Sequence, residues 1–350
     1  MRDAWVVLRE AGRLRWGGDL RRHYVFEALA SRADALDVDG WTPPIVREAL
    51  GTGRRRLRLR RPRIAAATML SAGALDVVRE RGRPFVVDIH DDPVAQTEAL
   101  GIAPDGDWLR QTLERKARNL DAFRWHVTPS EGIARLAGLD PDRTIVAGNG
   151  TDTEVIVPGD WPAEPGIGMV SGAAPSRGIE TLVEAARQLR RELPTLRLKL
   201  WLAATGAASS AYLEGLRTTL ADDAWIDIRA VPYGAFGREL ATVAVHCIPT
   251  PSAAYWDAVS PIKLFDAMAS GRPLVVTPRT AMAADVVRYD CGAVARGDTA
   301  DGLAAAIRPI LGDRVLAERL GANGRSAAVA NHDWRAISVA LAVQLIERAS

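Results

Sequence analysis

The residue types with the clearest chemical potential lie in one segment, Ser260-Pro261-Ile262-Lys263-Leu264-Phe265-Asp266-Ala267-Met268-Ala269-Ser270-Gly271-Arg272-Pro273. Serine is a favoured N-cap and proline a favoured first helical residue, so a helix is predicted to open at Pro261; Gly271 followed by Pro273 predicts its end. The first N–H groups of such a helix have no intrahelical partner. With a helix dipole of about half an elementary charge they form an anion site beside Lys263, bounded by Ser260, Pro261 and Ile262, and a diphosphate fits there. Lys263 and Asp266 share one helix face, which sets a carboxylate one turn further on, where it could hold a ribose diol. The same spacing suits a solvated Lys–Asp pair worth about 0.2–0.5 kcal/mol, and spacing alone does not choose.

Other phosphate and hydrolytic motifs fail. The G-x-G triplets at Gly51–Gly53 and Gly166–Gly168 lack the third glycine of a dinucleotide fingerprint. The three lysines, Lys116, Lys199 and Lys263, are followed by Ala117, Leu200 and Leu264, which excludes a P-loop. The histidines form no HExxH pair, and no G-x-S-x-G elbow occurs. Cys247 and Cys291 alone can build neither a disulfide framework nor a zinc site, so they read as buried thiols and no metal is expected. What remains is phosphate recognition by a helix N-terminus.

The elements that must position this segment alternate between short apolar runs and longer amphipathic stretches, the pattern of parallel α/β layers. Strands are predicted at 4–8, 64–69, 85–89, 125–128 and 144–147, with helices near 20–30, 107–118 and 131–137. A second series has strands at 167–170, 196–202, 224–228, 243–248 and 274–277, with helices near 178–192, 261–269 and 299–311. Between them, Val157–Gly166 (VPGDWPAEPG) carries three prolines and two glycines and reads as a linker. With 350 residues, more than one core usually organises, the expected division is 1–157, a linker at 158–166, 167–332, and a C-terminal helix at 333–350 able to pack back on the first domain.

Hydrophobic residues make up 48% of the chain and charged residues 25%, which rules out disorder and collagen-like repeats. No apolar run approaches a membrane span and the N-terminus lacks a signal core, so a cytoplasmic protein is expected. The net charge of +2 argues against a nucleic-acid partner, although seven arginines crowd Arg54–Arg63 (RRRLRLRRPR). Such a block suits a solvated surface, a strand edge, or docking on anionic lipid at the inner face of a membrane, where each basic residue is worth up to about 1 kcal/mol.

The Ser260–Pro273 segment resembles the donor-site motif of the GT-B retaining glycosyltransferases of family 4, S/E-P-x-K-L-F-E-x-M-A-x-G-x-P-V, with Lys263, Asp266, Gly271 and Pro273 in register. Further pieces resemble the same family in the same order: Gly17-Gly18, Asp88-Ile89-His90-Asp91, Thr128-Pro129-Ser130, Asn149-Gly150-Thr151-Asp152 and Arg177-Gly178-Ile179-Glu180-Thr181-Leu182. The resemblance covers most of the chain. It implies two Rossmann-like domains facing across a cleft, the second holding a UDP- or GDP-linked sugar and the first a glycan or lipid-linked acceptor. It implies sugar transfer with retained anomeric configuration, without a cofactor or metal.

Carried over by this resemblance, Gly17 and Gly18 would let a loop approach the donor diphosphate. Lys263 and Arg177 would bind that diphosphate, Arg177 replacing a lysine common in the family. His90 would lie at the carboxyl end of a buried strand near the donor sugar, with Asp91 a weaker candidate. The sequence departs from the family pattern at Ala258, where an acid is common and Asp257 is one place off, at Asp266 in place of glutamate, and at Ala173 in place of an arginine. These departures keep two alternatives open: a non-catalytic nucleotide-sugar-binding protein, and a GT-B epimerase or hydrolase.

Overall fold

The computed structural model describes residues 4–10, 12, 17–56 and 61–350. Two sheets form, each from strands too short and too apolar to stand alone. The first contains β1 (Trp5–Arg9), β2 (Ala35–Asp39), β3 (Arg63–Ala66), β4 (Arg83–Asp88), β5 (Trp125–Thr128) and β6 (Thr144–Val146), in the order β2-β1-β3-β4-β5-β6. The second contains β7 (Gly166–Gly172), β8 (Arg197–Ala203), β9 (Ile226–Arg229), β10 (Val245–Ile248), β11 (Leu274–Val276) and β12 (Gly292–Val294), in the order β12-β11-β10-β7-β8-β9. Every pairing is parallel. Inner strands such as β1 and β10 are buried at every residue, as expected where helices cover both faces of a sheet.

The two strands that the sequence pattern does not reveal, β2 and β12, are both edge strands. β2 buries only Val38 and carries Asp37, whose carboxylate pairs with Arg9 at 2.8 Å. β12 is three half-buried residues, Gly292–Val294. Pairing with β1 and β11 makes them strands, because their own side chains supply little packing. In the second unit, the helix Ile179–Glu192 buries Ile179, Leu182, Val183, Ala186 and Leu189 at helical period. That stripe shares one core with Leu198 and Leu200 of β8 and with Leu303 and Ile307 of the helix Ala300–Gly312.

The chain divides into two units, residues 1–98, 102–149 and 334–350, and residues 99–101 and 150–333. The division falls at 149/150, ahead of the expected 158–166 linker, because the intervening residues are tied into the second unit. Thr151 N–H donates to His332 O at 2.8 Å, and Arg325 donates to Thr153 O at 3.0 Å and Ile156 O at 2.7 Å. The Pro/Gly-rich stretch is likewise anchored: Arg272 donates to Gly159 O at 2.9 Å and lies 4.8 Å over the Trp161 ring. Asp333 closes the second unit. The helix Trp334–Ala349 belongs to the first, where Leu341 and Leu345 share a core with Val25, Phe26 and Leu29, and Trp334 stacks on Tyr24. Among the described residues no helix is long and apolar enough to cross a membrane.

Of the basic block, Arg54–Arg56 end the helix Pro43–Arg56, while residues 57–60 lie outside the described residues. Arg61 donates to Arg79 O at 2.6 Å, and Arg63, at the start of β3, lies over the rings of Trp5 and Phe85. These two arginines therefore serve the first unit's own packing.

The first unit is pinned by Arg21, buried in the helix Gly17–Tyr24. Its guanidinium meets Asp88 at 2.7 Å at the end of β4, and donates to Ala147 O at 3.0 Å and Asn149 Oδ1 at 3.1 Å beyond β6. Burial by itself raises the Asp88 pKa, but Arg21 and His90 outweigh it and hold the carboxyl below its ordinary value. A depressed pKa gives stability that is present above the unfolded value, near 3.9, and is lost as pH falls through the folded value. Arg21→Met leaves Asp88 buried without this partner and should cost about 3–5 kcal/mol in denaturant unfolding at neutral pH. That deficit should shrink as pH falls, because desolvation then acts on Asp88 less opposed, raises its folded pKa and makes protonation favour the folded state.

Candidate functional site

In the second sheet the strand order reverses between the neighbours β7 and β10, and the carboxyl ends of open α/β sheets at such a reversal are where ligands bind. After β7 the chain makes a short 3-10 turn, Pro175–Arg177, and then Gly178 at φ +75°. A Cβ on Gly178 would come 1.9 Å from Pro249 O, so glycine is required on both steric and dihedral grounds. That close approach seats the loop carrying Arg177 against the loop that follows β10. The Arg177 guanidinium lies 4.4 Å over the ring of Trp256, in the short helix Ala254–Ala258.

The predicted helix spans Ile262–Ala269, opening one residue later than the sequence suggests, with Pro261 as an extended N-cap at φ −75°, ψ 154°. Ser260 is not the cap. Its hydroxyl donates to Asp285 Oδ2 at 2.6 Å, a charge-assisted bond stronger than a neutral cap to a backbone N–H. No side chain caps the helix, so its leading N–H groups remain directed out of its start.

Lys263 stands in the first turn of this helix with no hydrogen bond or ion pair among the described residues. Although the residue keeps some exposure, desolvation first and the Arg177 guanidinium second pull its pKa down to about 7. Asp266 does not answer it. It is 4% exposed, and its Oδ1 accepts from Thr151 Oγ1 at 2.8 Å. Burial raises its pKa to about 7, against the Thr151 bond and with help from Asp152. The solvated Lys–Asp pair is thus absent, and the carboxylate expected to face a ribose has one oxygen committed to Thr151.

The second unit therefore brings together Arg177, Ser260, Pro261, Ile262, Lys263 and Asp266, while Gly17, Gly18 and His90 belong to the first. Gly17 and Gly18 lie in the first turn of the helix Gly17–Tyr24 and not in a loop; residues 13–16, just before it, lie outside the described residues. His90 lies just beyond the carboxyl end of β4, with Nδ1 3.3 Å from Asp88 Oδ2 and Nε2 3.8 Å from Asp91 Oδ2. Ala258 is buried. Asp257 is directed elsewhere, 3.6 Å from Arg279 and accepting from Thr280 N–H at 3.4 Å. Cys247 and Cys291 are buried free thiols with pKa values raised chiefly by burial. Among the described residues no three His, Cys, Asp or Glu side chains gather as a metal site.

Sequence reasoning passes over Trp256, Thr151, Asp285 and Arg21. Thr151 lies inside the Asn149–Asp152 piece, which carried a signal; the others depend on contacts between distant segments.

The Lys263 environment is directly testable, because Lys116 is paired with Asp92 at 2.6 Å and Lys199 donates to Thr242 at 2.9 Å. Competitive acetylation across pH, read by peptide mass spectrometry, should show Lys263 titrating with a midpoint near 7. A midpoint near the ordinary lysine value, about 10.4, would contradict the desolvated site.

Residues 164–313 match the family model described as Glycosyl transferases group 1. No curated protein matches the chain by sequence. Among solved structures the chain is similar to a sucrose-phosphate synthase from Thermosynechococcus elongatus, at 18% identity and TM-score 0.75 over 100% of both chains. It is also similar to HepE of Anabaena in complex with UDP-glucose, at 18% identity and TM-score 0.71 over 99% of this chain and 100% of that one. WaaG, a glycosyltransferase of lipopolysaccharide biosynthesis, matches at 12% identity and TM-score 0.68, over 97% and 99%. The chain thus has the α/β fold of GT-B glycosyltransferases, and the match to the group 1 glycosyl transferase model lies within its second unit.

Proposed function

We propose that the protein transfers a sugar from a nucleoside diphosphate sugar, UDP- or GDP-linked, to a glycan or lipid-linked acceptor with retention of anomeric configuration. The observation that carries this reading is a Lys263 with no carboxylate partner, at the uncapped start of a helix and subject to the Arg177 charge. The two like charges repel each other, so a ligand that supplies two adjacent negative phosphates sets two attractions against that repulsion. The bond that breaks joins the sugar's anomeric carbon to a diphosphate oxygen, and the charge growing on that oxygen is what Lys263, Arg177 and the helix N–H groups stabilise. This needs no metal.

In the same reading Ser260, Pro261 and Ile262 border the diphosphate, Asp266 contributes its remaining carboxylate oxygen to the nucleoside ribose, and Gly17 and Gly18 give access to the donor. His90, oriented by Asp88, supports the donor sugar by holding a hydroxyl or stabilising charge. HepE, which shares the fold, has been crystallised with UDP and with UDP-glucose, which favours testing uridine donors first. The basic block is assigned to an anionic membrane surface at the cytoplasmic face; unchanged liposome binding after neutralising Arg54–Arg56 would remove that assignment.

Lys263→Ala should lower acceptor-dependent nucleotide release about a hundred- to a thousand-fold. Lys263→Met separates function from folding. The depressed Lys263 pKa penalises the fold fully below pH about 7 and fades as pH rises toward the unfolded value of 10.5, so the methionine variant should melt at a higher temperature at neutral pH while losing activity. A variant that is both fully active and no more stable refutes the assignment. Ala258, with Asp257 engaged by Arg279, favours the non-catalytic alternative, and donor binding without nucleotide release by the parent protein would establish it.

A further inference from the structure

Thr151 is fully buried, and among the described residues its hydroxyl has one partner, Oδ1 of Asp266 at 2.8 Å. We propose that Thr151 is a positioning residue that makes the donor site selective for a ribonucleotide: its hydroxyl holds one oxygen of the Asp266 carboxylate, so that the other, Oδ2, is kept for the 2′-hydroxyl of the nucleoside sugar. The inference rests on the donor-site reading that gives Asp266 to the ribose.

Three observations carry it. First, the hydroxyl and the carboxylate are anchored independently of their own bond. The Thr151 backbone is fixed by its N–H, which donates to His332 O at 2.8 Å, and by its bridge to Asp333. Arg325 donates to Thr153 O at 3.0 Å, to Ile156 O at 2.7 Å and to Ala269 O at 3.1 Å. One guanidinium thus ties the segment after Thr151 to the end of the helix Ile262–Ala269, which carries Asp266. Second, the Asp266 carboxylate makes no other hydrogen bond or ion pair among the described residues. Lys263 precedes it by three positions, where a helix-surface ion pair would form, and does not bond it. Third, the Thr151 bond favours the ionised carboxyl against burial and Asp152, which push its pKa up to about 7. An ionised carboxylate can only accept, which suits a sugar hydroxyl that donates. A 2′-deoxy sugar brings no hydrogen to that oxygen, and a desolvated acceptor left without its donor is a strong basis for rejecting an analogue that lacks one hydroxyl.

The test is calorimetric titration of the full chain with UDP and GDP, their 2′-deoxy forms, and inorganic pyrophosphate. The parent should bind its preferred ribonucleotide about thirtyfold more tightly than the 2′-deoxy form, the range of a hydrogen bond to a charged group. Thr151→Val keeps the branched shape and removes the donor. It should weaken the ribonucleotide about tenfold while the deoxy form and pyrophosphate stay within about twofold, so the ratio falls to about three. Thr151→Ser restores the hydroxyl and should keep the parent's ratio within about threefold. Asp266→Asn should lose the ratio as well, and adding Thr151→Val to it should change it no further. A Thr151→Val variant with the parent's ratio overturns the proposal. So does one that weakens pyrophosphate as much as the ribonucleotide, which would assign Thr151 to the fold alone, or a Thr151→Ser variant that fails to restore the ratio. A parent that binds a ribonucleotide and its deoxy form equally removes Asp266 from the ribose, and a parent that binds neither UDP nor GDP overturns the donor-site reading. Those two failures show in the parent, so they are distinguishable from failure of the Thr151 proposal.

Discussion

A lysine ammonium desolvated at a helix start, under the charge of an arginine guanidinium and without a carboxylate partner, sets the main physical constraint on the second unit. Burial removes part of the water that would solvate the ammonium, the guanidinium charge adds to the cost, and together they lower the Lys263 pKa to about 7. The surrounding structure sustains that penalty by distributing work among neighbours. Gly178 permits a loop approach that any side chain would block, Trp256 supplies a face for the guanidinium, and Asp285 draws Ser260 away from the helix start. Stability sacrificed at one point and recovered in the core is the usual economy of a functional site.

The first unit handles buried charge in the opposite way. Arg21 and Asp88 are also removed from water, but there the charges are complementary, and the remaining guanidinium donors reach Asn149 and the carbonyl of Ala147. Because the attraction outweighs desolvation, the Asp88 carboxyl is held ionised and its pKa lies below the usual value. That fixed carboxylate then orients His90 at the end of β4. One unit thus uses a satisfied ion pair to place a histidine ring, while the other keeps a cation available for an anionic ligand.

Continuity of the chain matters as much as either cluster. Thr151, just past the crossing at 149/150, bonds His332 just before the one at 333/334, and the same Thr151 donates to Asp266 in the Lys263 helix. Phe265, next to Asp266, stacks on His332 with ring centroids 4.2 Å apart. The segment that carries the phosphate-binding residues is therefore packed directly against both connecting stretches. Thr151 and Asp266 are far apart in the chain, so neither residue type nor local spacing discloses their bond.

The order of amino acids alone determined the alternation of apolar runs and amphipathic stretches, hence the parallel α/β class, and it marked Lys263, Arg177 and the helix around them, because helix signals and motif spacing are local. It also carried the Asn149–Asp152 piece without showing which side chain it serves. Tertiary structure decided what depends on distant partners: the edge strands β2 and β12, formed by pairing with β1 and β11; the crossing at 149/150, set by bonds to His332 and Arg325; and the diversion of Ser260 to Asp285. It decided, too, that Asp266 meets Thr151 while Lys263 is left to burial and the Arg177 charge, since a charge's surroundings are chosen by three-dimensional proximity and desolvation, quantities that spacing along a helix does not contain.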